Sequence, residues 1–292
     1  MNILTYSATA FLAILWLLSD MGPLLLTDAK IGILRFFCYL CAVKKVIYTS
    51  LTGNYDSLMQ PLASDPSVHY VCFTDREGQD GVWQLRKIPF GSGSDALRSR
   101  YPKMHPHLLL PGYDLSLYMD ANLCIRGAGF YDFLHAPEGG MALVEHPDRD
   151  CVYDELRYCY LKGKLGTRAA IGLMKKYRDE GMPQHFGLYE ANMILREHNR
   201  PDIIAFDERW WNMLLGSGCV RDQLSLTPAL FAEGIRPSLL LGEGLTSRNV
   251  PYLHYENHPP TGKENVPGKL NMANLKYNIR LLWRKTVLLC LR

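Results

Sequence analysis

β-Prone segments alternate with helical stretches along most of this 292-residue chain, and several of those segments end on polar residues. The alternation predicts an α/β fold: an open, mixed, mainly parallel sheet flanked by helices. In such sheets ligands bind beyond the carboxyl ends of the strands, so the polar stretches 49–56, 74–75 and 120–122 are expected to converge. With 48% hydrophobic and 21% charged residues, the chain has ample material for a core.

Residues 1–19 hold no Asp, Glu, Lys, Arg or His, and a second apolar patch covers 21–26. A secretory signal carries basic residues ahead of its apolar core, and residues 1–10 have none. Read as a membrane span, residues 3–19 sit at the short end of the usual ~17–25. Lys30, Arg35, Lys44 and Lys45 would then keep the main domain on the cytoplasmic side. The other reading of residues 1–43 is a core helix or an extension ahead of a soluble cytoplasmic domain.

The main domain, 44–258, starts with a β-prone run at 46–49 that enters a turn-rich loop at 50–56. Further strands are expected at 69–75 and 82–88. After a Gly-Ser-Gly-Ser break comes a helix at 95–107, then a strand at 113–119 that carries Asp120. Runs at 130–134 and 141–146 flank a Pro-Glu-Gly-Gly turn. Helices are expected at 154–177 (interrupted at 163–166), 189–198, 206–215 and 221–231, with a short strand or loop at 251–254. No internal repeat is present.

The tail, 259–292, differs. From Asn265 onward it has Lys269, Lys276, Arg280, Arg284, Lys285 and Arg292 but no acidic residue. Lys276, Arg280 and Arg284 share a helix face, and Leu275, Ile279, Leu282, Trp283 and Leu289 supply apolar surface. Such a basic amphipathic helix suits an anionic membrane surface, or docks on its own domain. The formal charge of +3, with no dense Lys/Arg stripe, argues against nucleic acid as a partner. Eight cysteines are scattered along the chain. Cys38 and Cys41 have the spacing of a redox or zinc element, but no second pair follows. Buried free thiols and a reducing compartment are expected.

The chemistry starts at Asp120-Ala121-Asn122. Two hard oxygen ligands at a rigid strand end suit Mg2+ or Mn2+, which keep positions open for water and phosphate; the same pair also favours a plain turn. Thr49, Thr52, Tyr55 and Asp56 offer hydrogen bonds and a stacking ring to a base or ribose, although the loop is no Walker or G-x-G-x-x-G element. Asp75 ends the next strand. Arg98, Arg100 and Lys103 fall in one helical stretch and can neutralise a diphosphate, or form a solvated charged face. His146, Arg149 and Glu155 lie in a dense polar run that can bind an acceptor or cap a helix. Arg221, Asp222 and Gln223 follow a glycine break, where Asp222 is equally a helix cap. His254 is a candidate third, softer metal ligand.

Together the motifs resemble a family. Val46-Ile-Tyr-Thr-Ser-Leu-Thr-Gly-Asn-Tyr-Asp56, Val71-Cys-Phe-Thr-Asp75, Arg100-Tyr-Pro-Lys103-Met-His-Pro-His107 and Leu117-Tyr-Met-Asp-Ala-Asn122 occur in one order. They are followed by His146-Pro-Asp-Arg-Asp-Cys-Val-Tyr-Asp-Glu155, Tyr177-Arg-Asp-Glu-Gly181 and Arg221-Asp-Gln-Leu-Ser225. This looks like the glycosyltransferase-like domain, formerly catalogued only as a domain of unknown function, of bacteria and plant mucilage-type proteins. That family is similar to the GT-A glycosyltransferases, particularly the retaining family-8 group. The resemblance implies a GT-A-like, Rossmann-like nucleotide-sugar fold over 44–258. It implies Mn2+ or Mg2+ on Asp120 and Asn122, with His254 a late ligand, and a UDP-linked sugar as donor. It also places Asp222 and Gln223 near the donor sugar or acceptor. Asn122 departs from the common D-x-D and removes one negative charge from the site.

The leading expectation is a metal-assisted glycosyltransferase of hexosyltransferase type. Its acceptor would be a saccharide or a lipid-linked saccharide, in surface polysaccharide or glycoconjugate synthesis. Retention and inversion stay open. For inversion Asp222 is the first choice of proton acceptor and Glu155 the second, and Asp222→Asn is expected to fold normally with turnover at least about tenfold slower. The alternatives are a metal-dependent hydrolase of a lipid or sugar conjugate, using His146, Asp148, Asp150, His254 and His258, and a non-catalytic carbohydrate-binding domain.

Overall fold

The computed structural model describes residues 43–53, 57–256 and 281–287. The apolar N-terminal stretch, Tyr55, Asp56, His258, the Cys38/Cys41 pair and most of the basic tail lie outside them. By internal contacts the chain divides into Met1–Lys44 and Lys45–Arg292, and every element below belongs to the second unit.

Strand β1 (Lys45–Leu51) is the centre of the sheet. It pairs in parallel with β2 (Val68–Thr74) on one side and β5 (Leu115–Met119) on the other. Outside β2 lie β4 (Trp83–Lys87), parallel to it, and the short antiparallel β3 (Gly78–Asp80). Beyond β5 comes β8 (Tyr189–Arg196), antiparallel, then β7 (Met141–Glu145), antiparallel to β8, and β9 (Ser238–Leu239), parallel to β7. The order is β3-β4-β2-β1-β5-β8-β7-β9, a mixed, mainly parallel sheet as the element pattern predicts. A separate ribbon pairs β6 (Leu123–Ile125) with β10 (Leu253–Tyr255).

Helices α1 (Asp95–Met104) and α2 (Pro106–Leu109) share the expected 95–107 stretch and part at His105. They are followed by α3 (Val152–Leu161), α4 (Thr167–Asp179), α5 (Pro201–Gly216) and α6 (Gln223–Ala232). Strand alternation sends Ile47, Leu117 and Met119 into one core and Tyr48, Val71 and Tyr118 into the other, where Phe206 and Trp210 of α5 cover them. A third cluster, with Leu156, Tyr160, Leu173, Tyr177 and Leu224, glues α3, α4 and α6 together. Among the described residues no helix is long and apolar enough to cross a membrane. The described cysteines Cys72, Cys124, Cys151, Cys159 and Cys219 are free thiols; burial pushes Cys72 up to about 12 and Cys159 up to about 11.

One element differs in kind from its expectation: 189–198 is read from sequence as a helix, but it is strand β8. All eight of its residues are buried, so no polar face alternates with an apolar one. The register also slips opposite Leu143/Val144, where Leu143 pairs with Ile194 and Val144 with Glu190. Met193 and Leu195 face one core and Ile194 the other, so Met193-Ile194-Leu195 is an unbroken apolar run that reads as helix. Pairing on both edges overrides the local preference.

Candidate active site

Helix α1 supplies positive charge to the carboxyl ends of the central strands. Ser94 caps it by accepting from Leu97 N at 3.3 Å. Two bonds lay it along β1: Thr52 Oγ1 donates to Asp95 O at 2.9 Å, and Tyr48 OH donates to Lys103 O at 3.4 Å. Its cations then meet three carboxylates. Arg98 pairs with Asp75, which also accepts from Gly53 N at 3.3 Å. Arg100 Nε lies 3.3 Å from Asp222 Oδ2. Lys103 Nζ lies 2.5 Å from Asp222 Oδ2 and 3.7 Å from Asp120 Oδ1. Asp75 and Asp120 sit two residues beyond Phe73 and Tyr118, so alternation puts both on the α1 side of the sheet.

Lys103 is the pivot. Its side chain is only 2% exposed, and its ammonium stands 4.7 Å from the Tyr118 ring centre and 6.0 Å from that of Trp210. A charge so buried must be paired. Burial alone would raise the Asp222 carboxyl, but Lys103 and then Arg100 outweigh it and hold the group far below the usual carboxylate range. The hydrogen bond from Arg98, and then that from Gly53, lower Asp75 in the same way. Burial, reinforced by Asp120, raises the Tyr118 phenol, which stays protonated and donates to Asp120 Oδ1 at 2.9 Å. The Asp120 side chain remains 38% exposed.

Asp120 lines a narrow apolar cleft with Thr49, Leu58, Met59, Trp83 and Met119. Among the described residues Thr49 Oγ1 is buried there without a hydrogen-bond partner, an open polar position in an apolar wall. A second cavity, of about 360 Å³, opens at the carboxyl end of β7 and the start of β8. Glu145, His146, Asp148, Arg149, Asp150 and Tyr189 are among the residues that line it. Burial, and then Arg149, lower His146 below its ordinary value, which leaves it neutral at physiological pH.

Several expected site residues also make contacts that hold the fold together. Asn122 is buried, and its Nδ2 donates to Glu256 O at 2.9 Å while Glu256 N donates to Asn122 O at 2.9 Å, which ties β6 to β10. Gln223 is turned to the β8 backbone: its Oε1 accepts from Ala191 N at 3.0 Å and its Nε2 donates to Tyr189 O. Glu155 is buried behind the cavity, where Arg149 Nε donates to it at 2.7 Å and Cys159 Sγ at 3.1 Å. Asp222 caps α6 through Gln223 N at 3.1 Å besides its two ion pairs, and Arg221 adds to the field that lowers it. His254 is exposed on β10, opposite Cys124. Among the described residues, no group of three His, Cys, Asp or Glu side chains is placed to hold a metal ion.

A buried polar cluster beside Asp120 has no counterpart in the sequence reading. Since β8 runs antiparallel to β5, its first residues lie at the carboxyl end of β5, and Asp120 N donates to Asn192 O at 2.9 Å. Glu190 pairs there with Arg248 and accepts from Asn192 Nδ2 at 3.2 Å, while Asn192 Nδ2 also reaches Ser247 Oγ at 2.9 Å. A polar residue at alternate positions, Glu190 then Asn192, is the one signal that pointed to a strand end here.

No curated protein sequence matches the chain. Among solved structures, the apo structure of WbbM, a bifunctional glycosyltransferase, is similar over 68% of this chain at 11% identity and a TM-score of 0.41. The chain spans only 38% of the length of that protein. A structure of an active-site mutant of LgtC is similar over 64% of this chain and 70% of its own, at 10% identity and a TM-score of 0.40. The family model described as TOD1/MUCI70, glycosyltransferase-like domain, matches residues 73–232, more than half of the sequence. The chain belongs to the TOD1/MUCI70 glycosyltransferase-like family.

Proposed function

We propose that this domain moves a hexosyl group from a UDP-linked sugar to a hydroxyl of a saccharide or lipid-linked acceptor, in surface polysaccharide or glycoconjugate synthesis. The observation that carries this reading is the row of α1 cations, Arg98, Arg100 and Lys103, set against Asp75, Asp120 and Asp222 where the strands end. Arginine forks and a fixed ammonium suit a diphosphate leaving group, whose charge grows as the glycosidic bond breaks. The apolar cleft at Asp120 has room for only about 10 Å³, so a base would lie over its mouth rather than inside it.

The residues fit a loosely held divalent ion rather than a closed cage. Mg2+ or Mn2+ is commonly held by one or two carboxylates plus substrate phosphates, and Asp120 is a partly exposed carboxylate at a strand end. When bound, the ion would supply Lewis-acid stabilisation of the diphosphate. Asp222, held ionised between two cations, is a weak proton acceptor; its part is to position Lys103 and Arg100. Glu155 likewise positions Arg149 in the acceptor cavity, where His146, Asp148 and Asp150 offer hydrogen bonds to sugar hydroxyls. Glu190 is a fixed carboxylate beside the reacting end of the sheet, suited to stabilising oxocarbenium-like charge on the sugar. Asp222 and Glu155 are both committed to cations, so we assign the acceptor proton to the departing phosphate, the retaining course.

The test is a panel of nucleotide sugars, with and without Mn2+. Donor hydrolysis or transfer that falls on the order of 10²–10⁴-fold in Glu190→Gln supports the assignment. Silence with every donor, together with tight saccharide binding, would make the domain a lectin. Donor-independent lipid cleavage would make it a hydrolase.

A further inference from the structure

The helical segment 281–287 docks on α3. The Arg284 guanidinium donates to Tyr160 O and lies 5.1 Å from the Tyr160 ring centre. A Cβ on Gly163 would stand 3.2 Å from Arg284, so the segment lies against the loop Lys162-Gly163-Lys164 that joins α3 to α4. Val287 packs on the third hydrophobic cluster. The orientation inverts the amphipathic expectation. A basic residue faces the domain, while Leu282 and Trp283 are 67% and 64% exposed.

Those two apolar side chains stand in a basic field. Lys162, Lys164 and Lys285 are exposed, and the first two hold their ammonium groups 5.6 Å and 5.9 Å from the centre of the Tyr158 ring. Between Glu155 and Asp179 the chain carries only basic charges. Lys175 and Lys176 of that stretch pair with Asp179 and Glu180, whereas Lys162, Lys164 and Lys285 have no carboxylate partner among the described residues.

We propose that this face, the Lys162–Lys164 loop together with helix 281–287, docks on the surface of an anionic lipid bilayer. Trp283 and Leu282 enter the headgroup boundary, where an amphipathic ring is favoured, and the lysines meet lipid phosphates and carboxylates. An exposed Trp–Leu pair amid unpaired lysines matches a bilayer better than a polyanion without an apolar layer, such as RNA.

The full chain is sedimented with vesicles of phosphatidylcholine alone and of phosphatidylcholine mixed with phosphatidylserine. Binding is expected to the mixed vesicles only and to weaken with added salt. Replacing Lys162 and Lys164 together by Ala should lower the partition coefficient roughly tenfold or more, and Trp283→Ala should lower it severalfold. Replacing the paired Lys175 and Lys176 by Ala should change it little. All three proteins should keep wild-type circular dichroism, since the residues are exposed. Binding to neutral vesicles as strong as to anionic ones, binding to neither, tighter binding to duplex RNA, or full binding by the Lys162/Lys164 variant would overturn the proposal.

Discussion

Two buried charge clusters meet at the last turn of α1, and they differ in one respect. The inner one joins Arg196 and Asp207, both 0% exposed, to Tyr48, whose hydroxyl lies 2.5 Å from Arg196. The outer one joins Lys103 to Asp222 and Asp120 and opens to solvent at Asp120. They share a residue: Arg196 donates at 2.5 Å to the carbonyl of Lys103, whose side chain serves the outer cluster. Sealed, the charges fix a backbone. Opened at a strand end, the same kind of charges can bind a ligand. The chemistry is alike, and position relative to the sheet's carboxyl edge decides between structure and function.

The largest effect should come from breaking the inner pair. Burial pushes the Asp207 carboxyl up to about 7 against the pull of Arg196, so Arg196→Met leaves it uncompensated. A stability loss of about 3–5 kcal/mol is expected in urea unfolding, and adding Asp207→Leu should restore most of it, since well-packed apolar replacements of a buried pair are often neutral. A loss in Arg196→Met below about 1 kcal/mol would erase the distinction between the clusters.

Next in size is a pH effect from His198, close to the inner cluster. Its Nε2 lies 2.9 Å from Leu110 O, and burial, against the help of that carbonyl, lowers it to about 4. The unfolded histidine titrates near ~6.5, so between these values the unfolded chain binds the extra proton and stability falls as pH falls. The full contribution is roughly 3 kcal/mol, lost on going from about pH 6.5 to 4 and flat below that. His105 and His107, lowered by burial too, act in the same direction. Urea midpoints measured across this range should fall less in His198→Gln than in the wild type.

The third effect tests the outer cluster. From sequence, Asp222→Asn reads as neutral for folding because Asn caps as well as Asp. The structure changes that expectation: among the described residues the amide would leave Lys103, 2% exposed, with Asp120 at 3.7 Å as its one carboxylate. A stability loss of about 1–3 kcal/mol is now expected alongside turnover at least about tenfold slower. Slower turnover at unchanged stability would mean Asp222 meets substrate rather than holding Lys103.

The sequence made the scaffold legible wherever a strand had one polar end. The runs at 46–49, 69–75 and 113–119 fall on β1, β2 and β5, and the α1 cations do meet strand-end carboxylates, Arg98 at Asp75 and Lys103 at Asp120. It failed at β8, where burial on both faces and a bulge remove the period, and Glu190 was missed with that strand. It could not show the contacts of residues whose partners are remote. Asn122 finds its acceptor 134 residues away, on Glu256, and Gln223 finds the β8 backbone. A side-chain amide has the same chemistry toward a sugar as toward a carbonyl, so only the fold could tell which it meets.

The smallest and sharpest test is Arg98→Ala. Arg98 is the first of the three α1 cations in the chain, and it pairs with Asp75 and, at 3.2 Å, with Asp95, whose side chains are 41% and 65% exposed. Pairs so open to water add little to folding, so the thermal midpoint should not move. If the donor diphosphate lies along α1, loss of this fork should raise the donor KM about tenfold with kcat nearly unchanged, the mark of binding shared by ground and transition states. Arg98→Lys should recover only part of that, because an ammonium keeps the charge without the bidentate geometry. An unchanged KM in both variants would mean that the diphosphate lies elsewhere. The open cluster would then be a structural device like the sealed one, exposed only because the sheet ends there.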